Sequence, residues 1–400
     1  MNLISGYPYW LVKNGLPYNY PSLEKSIEVD VVIMGAGISG ALMGYYLANA
    51  GVNCVIIDAR SIGLGSTCAS TALLQYEIDI SLTDLKEKIG VNAAERSYKL
   101  CASSIHKLHT ISEHIGFKEF EFKKSLYYAA DKKHIPHLQK EFDARRQAGF
   151  DVEYLGKDDV KKTFGFNAPG AILSGLAAQT DAYKFAHELH KYSQSKGIQV
   201  FDRTNVTNIQ HKKSGVVMKT ENGLKIKAKK LIYATGYETV KYIDKKIVEL
   251  YSTYASITEQ KKSKESFWKD DVLIWNTADP YLYIRTTPDG RIIFGGGDDK
   301  HSSVDHSMKK INKKTAQLYK ELHKVFPSMD VKPEFNWMGI FGKTTDGLPY
   351  IGTYKKLPNS LFALGFGGNG ITFSLTAAEI LTDIILEKKN SDADLFSFER

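Results

Sequence analysis

The apolar positions of this chain change rhythm along its length, and each change predicts an element. The stretch VDVVIMGAGISGALMGYYLANAGVNCVIIDAR, residues 29–60, has β-branched runs at both ends and an alanine- and leucine-rich middle. That pattern predicts strand, tight turn, helix, strand. Helical spacing returns at 92–115, near 132–148, in TDAYKFAHELHKYSQSKG with Gly197 as its stop, and at 307–325. FEFKKSLYYAA and AKKLIYATG read as strands. From 246 to 300 the pattern is strand-rich, through KIVELYSTYASIT, DVLIW, YLYIRTT and RIIFGGG. Residues 1–28 form a tyrosine- and proline-rich arm. No repeat and no low-complexity tether breaks the chain, so its domains are expected to be woven together.

Composition narrows the class. Four hundred residues at 43% hydrophobic give ample core for two or three domains. Lys and Arg exceed Asp and Glu by 53 to 45, a formal charge of +8. The lysines are scattered. Lys309, Lys310, Lys313 and Lys314 flank a stripe of Ile311, Leu318, Leu322 and Val325, as the solvated face of a helix does. A nucleic-acid partner is therefore not expected. Cys54, Cys68 and Cys101 form no CxxC pair and no metal spacing, and so sparse a set fits a cytoplasmic, reducing compartment. The N-terminus lacks the features of a signal peptide. The apolar stretches near 31–50 and 361–386 are broken by glycines, and the second carries Glu379 and Asp383, so no integral membrane segment is expected.

The first glycine cluster is Gly35-x-Gly37-x-x-Gly40. Gly35 suits the tight turn out of a strand, Gly37 the close approach of a pyrophosphate, and Gly40 the packing of helix on sheet. The helix entry at Ile38 and Ser39 offers free N–H groups and positive dipole. Gly44, inside the helix, points to close packing there. Asp58 ends the next strand, where an acid binds a ribose hydroxyl or is simply a solvated strand-end carboxylate. This motif predicts a dinucleotide fold without separating NAD from FAD.

Further segments suit a chain that passes close to a ligand. GLGSTCASTALLQYE, residues 63–77, offers Ser66, Thr67, Ser70 and Thr71 as donors to phosphate or ring edge, or as an ordinary hydroxyl-rich turn. LIYATG ends a strand on Thr235 and Gly236. Near the C-terminal end, GFGGNGITFS supplies a second glycine cluster, Gly365, Gly367, Gly368 and Gly370, directly before a long apolar helix.

Taken in order, GAGISG with Asp58, GSTCAS, TDAYKFAHEL, ATG, DGRIIFGG, TTDGLPYIG, GFGGNGIT and the terminal LFSFER resemble the FAD-dependent oxidoreductases of the D-amino-acid oxidase and glycine oxidase type, across residues 29–397. The resemblance implies an extended FAD. The first glycine loop would hold its pyrophosphate, and the last loop the pyrimidine edge of the ring. Cofactor contacts are expected from Gly35, Gly37, Ile38, Ser39, Gly40, Asp58, Ala59 and Arg60, and from Ser66, Thr67, Ala69, Ser70 and Thr71. Val206, Thr235, Gly236, Gly339, Gly365, Gly367, Gly368, Asn369, Gly370, Ile371 and Thr372 complete the set. Asn369 and Thr372 are expected as side-chain or backbone donors. The helix after Gly370 would aim its positive end at the flavin N1–C2=O.

The chain also departs from the family pattern. Glycine-oxidase-like members place a carboxylate-binding arginine four residues after the tryptophan that corresponds to Trp337; here that position is Phe341. The cysteine and histidine that carry flavin covalently in some relatives have no match: Gly339 and Ala69 stand near those positions, with Cys68 a minor candidate. Non-covalent FAD is expected. The remaining substrate-side candidates are Tyr283, Arg285, Tyr254, Gln75 and Trp337. Arg285 is either a replacement clamp or a strand-face salt bridge; Tyr283 and Tyr254 serve in packing or in catalysis.

The expectation is an α/β protein. A Rossmann-like FAD domain would be built from 29–95, 165–240 and 336–400, and a mostly antiparallel substrate domain from 96–164 and 241–335. The expected reaction is oxidation of the C–N bond of an amino acid or secondary amine by hydride transfer to flavin N5, with oxygen or a quinone-type carrier as electron acceptor. Two alternatives share the fold: a 2-hydroxy-acid or polyol dehydrogenase, and a flavin domain that modifies an RNA-bound amine.

Overall fold

The computed structural model describes residues 1–261, 266–302 and 306–400. Two sheets dominate it. The first is the predicted nucleotide-type sheet. Its strands run in the order Tyr350–Thr353, Ser360–Leu364, Lys225–Tyr233, Ile27–Met34, Cys54–Ile57 and Gln199–Phe201. All neighbours are parallel except the antiparallel pair at 350–353 and 360–364. A hairpin, Val206–Lys212 and Gly215–Thr220, extends from Lys225–Tyr233.

Parallel sheets are covered on both faces, and alternation shows it here. Val31, Ile33 and Ile56 join one core cluster, while Val32, Met34, Val55 and Ile57 join another. Helix Ile38–Asn49 lies on the first face between helices Ala182–Ser195 and Gly370–Ile385. Gly44 is where it comes closest: a Cβ there would sit 2.6 Å from Ile56 Cδ1 and 3.3 Å from Ser193 Oγ. The helices that follow the two glycine clusters touch through Ser39 Oγ and Ser374 Oγ, 2.7 Å apart.

The second sheet is ten-stranded, and a single pair in it, Leu273–Asn276 with Phe120–Tyr128, is parallel. Its order is Ile4–Gly6, Pro333–Lys343, Glu249–Thr258, Ile292–Lys300, Leu282–Thr286, Leu273–Asn276, Phe120–Tyr128, Gly170–Thr180 and Leu73–Gln75, with Val152–Gly156 beside Gly170–Thr180. One face buries Tyr254, Ile284, Phe294, Met338 and Ile340 in a cluster with Ile311, Leu318 and Leu322 of helix Met308–Val325. Strands 73–75, 170–180 and 333–343 belong to this sheet, although the sequence pattern assigns most of their residues to the nucleotide domain. Part of the tyrosine-rich arm is ordered structure as well: Ile4–Gly6 pairs with residues 337–339, and Tyr9–Asn14 is a short helix.

Candidate active site

A cavity of about 890 Å³ runs between the two sheets, within the size range of cofactor and ligand sites. At one end the first glycine loop is fixed from several sides. Gly35 has φ +110°, and a Cβ on it would meet Ala234 O at 2.3 Å. A Cβ on Gly40 would lie 1.8 Å from Gly35 O, so Gly40 serves the turn itself and does not line the cavity. Asp58 accepts the Ala36 N–H through Oδ2 (2.7 Å) and the Arg60 N–H through Oδ1 (2.8 Å). Each oxygen keeps a lone pair for a ribose hydroxyl. Desolvation raises the Asp58 carboxyl above its usual range, and the two N–H groups oppose that. Arg60 pairs with Glu238 at 2.8 Å, and Lys241 pairs with the same carboxylate. Ala59, Val206, Thr235 and Gly236 line the same end.

His190 contributes an attachment that the sequence reading missed. Its Nε2 lies 3.0 Å from Ala36 O. Burial pushes its pKa down to about 4, so it is neutral and donates from Nε2. The available signal was the pair His187 and His190, three apart on the buried face of helix Ala182–Ser195.

The middle of the cavity is lined by Ser66, Thr67, Ala69, Ser70 and Thr71. The Ser66 hydroxyl is buried and has no hydrogen-bond partner among the described residues. Thr67 Oγ1 accepts the Ile38 N–H at 3.0 Å and would stand 2.7 Å from a Cβ on Gly37. Helix Ile38–Asn49 begins at Gly37 without a side-chain cap.

At the far end the second glycine loop arrives. Gly367, Gly368, Gly370 and Ile371 line the cavity; Gly365 does not, because its φ of +77° turns the chain behind the loop against Thr344 and Val248. The Gly368 N–H donates to Asp79 Oδ2 at 2.9 Å, and the Tyr237 hydroxyl donates to Gly367 O at 3.0 Å. Asn369 spends its side-chain amide on Gln75 O and Glu77 O, at 3.1 and 2.8 Å. The Thr372 hydroxyl bonds Asn369 O. Neither side chain has a donor left for a ligand, which leaves as donors the main-chain N–H groups at the start of helix Gly370–Ile385, again without a side-chain cap. Two uncapped helix starts, a glycine cradle that a Cβ would fill and an orphaned buried hydroxyl fit an elongated anionic cofactor such as FAD.

The substrate-side candidates separate. Tyr283, Gln75 and Phe341 line the cavity. Gln75 donates to Ser125 Oγ, which also receives Trp275 Nε1–H. Tyr254, Trp337 and Arg285 do not line it, and each is corrected here. Strand alternation puts Tyr254 on the opposite face, in the cluster beneath helix Met308–Val325. Trp337 is 1% exposed and donates to Ala69 O. Arg285 is also 1% exposed; its Nε and Nη1 donate to main-chain carbonyls of Thr286, Thr71, Ala72 and Thr180, and among the described residues it forms no ion pair, which fits neither a clamp facing the cavity nor a strand-face salt bridge. Gly339 lines the cavity, and a Cβ on it would touch Ala69 Cβ at 3.6 Å, which brings the two positions of the missing covalent anchors together. Cys68 is fully buried and bonds Gly65 O, and burial pushes its thiol up to about 12.

The wall beyond the second glycine loop is aromatic, with Tyr127 stacked on Trp275 at 3.8 Å and Tyr237, Tyr281, Tyr283 and Phe341 around them. Asp79 and Asp279 line this end. Among the described residues the one cation lining it is Lys343, which lies over the Phe341 ring and 3.9 Å from Asp298. Desolvation pushes the Asp298 carboxyl up to about 6, opposed by a hydrogen bond from Thr253 and by Lys343. Among the described residues no His, Cys, Asp and Glu group is arranged to hold a metal, and no helix is long and apolar enough to cross a membrane.

Residues 30–384 match the family model of DAO, the FAD-dependent oxidoreductases. The chain is 23% identical over 382 residues to glycine oxidase of Bacillus subtilis, covering 92% of this chain and 96% of that one. It is 23% identical over 398 residues to a putative Rieske 2Fe-2S iron-sulfur protein of Bacillus subtilis, covering 98% of this chain and 75% of that one. Among solved structures, glycine oxidase from Geobacillus kaustophilus superposes with a TM-score of 0.81 at 19% identity, over 93% of this chain and 99% of that one.

Proposed function

The chain belongs to the DAO family of FAD-dependent oxidoreductases, and we propose that within it the protein oxidises the C–N bond of an amine or amino acid bulkier or less acidic than glycine. The observation that carries this reading is the far end of the cavity. An aromatic wall with Phe341 stands where a carboxylate-binding arginine was expected, and Asp79 and Asp279 face inward. Lys343 is already answered by Asp298. With Arg285 turned to carbonyls and Arg60 at the opposite end paired with Glu238, no guanidinium among the described residues lines this end of the cavity. Amines reach the site as ammonium ions, which carboxylates attract and hydroxy acids would not exploit. The named activity of the glycine oxidase relatives supports C–N over C–O oxidation.

When bound, FAD supplies the hydride-accepting chemistry. The protein's part is to hold the reacting carbon against the ring, exclude water and take up the amine's proton. Tyr127, Trp275, Tyr281 and Tyr283 form the apolar enclosure, and Asp79 is the carboxylate at the loop that receives the ring. FAD held without a covalent bond is part of the same proposal, supported by Gly339 and Ala69 at the anchor positions and by the unreactive Cys68 thiol. Acid precipitation that left the flavin on the chain would overturn that part.

The test is anaerobic mixing of the flavoprotein with a panel of amines, amino acids and hydroxy acids. Amines without a neighbouring carboxylate are expected to bleach the flavin fastest, with release of ammonia or a smaller amine. Bleaching by hydroxy acids alone would replace the reading with the dehydrogenase alternative. Turnover that requires RNA and fades with salt would replace it with the RNA alternative.

A further inference from the structure

Four successive carbonyls, those of Ala69, Ser70, Thr71 and Ala72, are each held from outside the cavity by a buried side chain. Trp337 Nε1–H donates to Ala69 O at 2.8 Å. Trp10 Nε1–H donates to Ser70 O at 2.7 Å. Arg285 Nη1 donates to Thr71 O and Ala72 O, both at 2.8 Å. The three donors come from the N-terminal arm and two strands of the ten-stranded sheet, and each is 1% exposed. Arg285 also lies against the Trp10 ring, 5.3 Å from its centre.

Such a row is unusual for a connecting segment, whose carbonyls ordinarily face water. Here the same four residues line the cavity. Ala72 is held at φ +51°, a left-handed conformation that a residue with a Cβ adopts only when its surroundings impose it. The Arg285 charge is equally unusual. Among the described residues Arg285 forms no ion pair: its direct partners are main-chain carbonyls, and the carboxylates of Asp181, Glu121 and Asp289 act on it only through space.

We propose that Trp10, Trp337 and Arg285 are positioning residues for the cofactor. By drawing the carbonyls of residues 69–72 away from the cavity, they turn the hydroxyls and the rest of that loop toward the flavin. The unpaired Arg285 charge raises the positive potential behind the loop, which favours the reduced cofactor. The proposal needs FAD in this cavity but not any particular substrate, so it stands or falls apart from the amine reading.

The test uses the purified holoenzyme and reads FAD dissociation on dilution together with the oxidised-to-reduced ratio at a fixed dye potential. Trp10→Phe and Trp337→Phe keep an aromatic ring, though a smaller one, and delete one donor. Each should weaken FAD by about fivefold, the equivalent of one hydrogen bond. Arg285→Met should shift the ratio about tenfold or more toward oxidised flavin, whereas Arg285→Lys, which keeps the charge but not the fork, should weaken FAD and leave the ratio within about twofold. If Arg285→Met fails to fold, the two phenylalanine variants and Arg285→Lys still decide the matter. Variants that melt earlier while holding FAD with unchanged affinity and ratio would reduce these residues to packing and overturn the proposal. A shift with Arg285→Lys equal to that with Arg285→Met would overturn the role of the charge.

Discussion

The two glycine loops look alike in sequence and are built differently. The first is fixed by the sheet it leaves: Gly35 presses on Ala234, Gly40 on Gly35, and Ala36 is gripped on its N–H by Asp58 and near its carbonyl by His190. All of these partners come from the nucleotide-type half. The second is fastened mainly by the other half: Asp79 takes the Gly368 N–H and the carbonyls of Gln75 and Glu77 occupy Asn369, with Tyr237 of the nucleotide-type half adding one bond to Gly367 O. The first loop is therefore part of a general cofactor scaffold. The second, on the proposed reading, is where the segment that leads into the substrate wall would set the position of the cofactor ring.

The sharpest way to break this comparison is Gly37→Val. Its side chain would collide with Thr67 Oγ1, 2.7 Å from the Cβ position, in the space where the proposed reading puts the pyrophosphate. The variant is expected to purify without flavin, and a full complement of bound FAD would end the phosphate-loop reading.

Next in size is acid. His190 and His187 are buried with pKa values near 4, below the ordinary 6.5. A histidine whose folded pKa is depressed contributes stability above its unfolded pKa and loses it as pH falls toward the folded value. The window is thus about 6.5 down to 4, and lowering pH from 7 to 5 should cost about 2 kcal/mol for His190. Denaturant melts across that range should show the loss, and His190→Gln should flatten the slope. An equal slope in the variant would dissociate the first loop's stability from this histidine.

The smallest effect is expected at the second loop. Asp79→Ala removes the acceptor of the Gly368 N–H but leaves the pyrophosphate end intact, so flavin should co-purify with affinity lowered about tenfold. Complete loss of FAD would mean that the second loop carries as much of the binding as the first.

Much of the first loop was legible because its determinants are local. GAGISG, the strand on either side and Asp58 lie within about one βαβ unit, so periodicity and spacing reveal them together. The second loop was legible as glycine-rich, but its fasteners were not, since Asp79 lies nearly three hundred residues away in sequence and carries no motif of its own. Arg285 shows the same limit. A strand arginine near the expected site reads equally well as a clamp or a surface pair, and what decides is a loop more than two hundred residues earlier that folds across it. Strands 73–75 and 170–180 were missed for a related reason: their pairings are non-local, and alternation within a short apolar run does not say which sheet it joins.

The three-residue strand Ile4–Gly6 has a meaning beyond the cavity. It caps Pro333–Lys343, whose outer edge would otherwise offer open backbone donors and acceptors to any passing chain. Tyr7 N–H and Leu3 O extend that cover to residues 336 and 340. An edge strand this short is a poor template for further pairing. The arm thus covers part of a sheet margin, and a chain trimmed past Gly6 is expected to expose that backbone and to assemble more readily edge to edge.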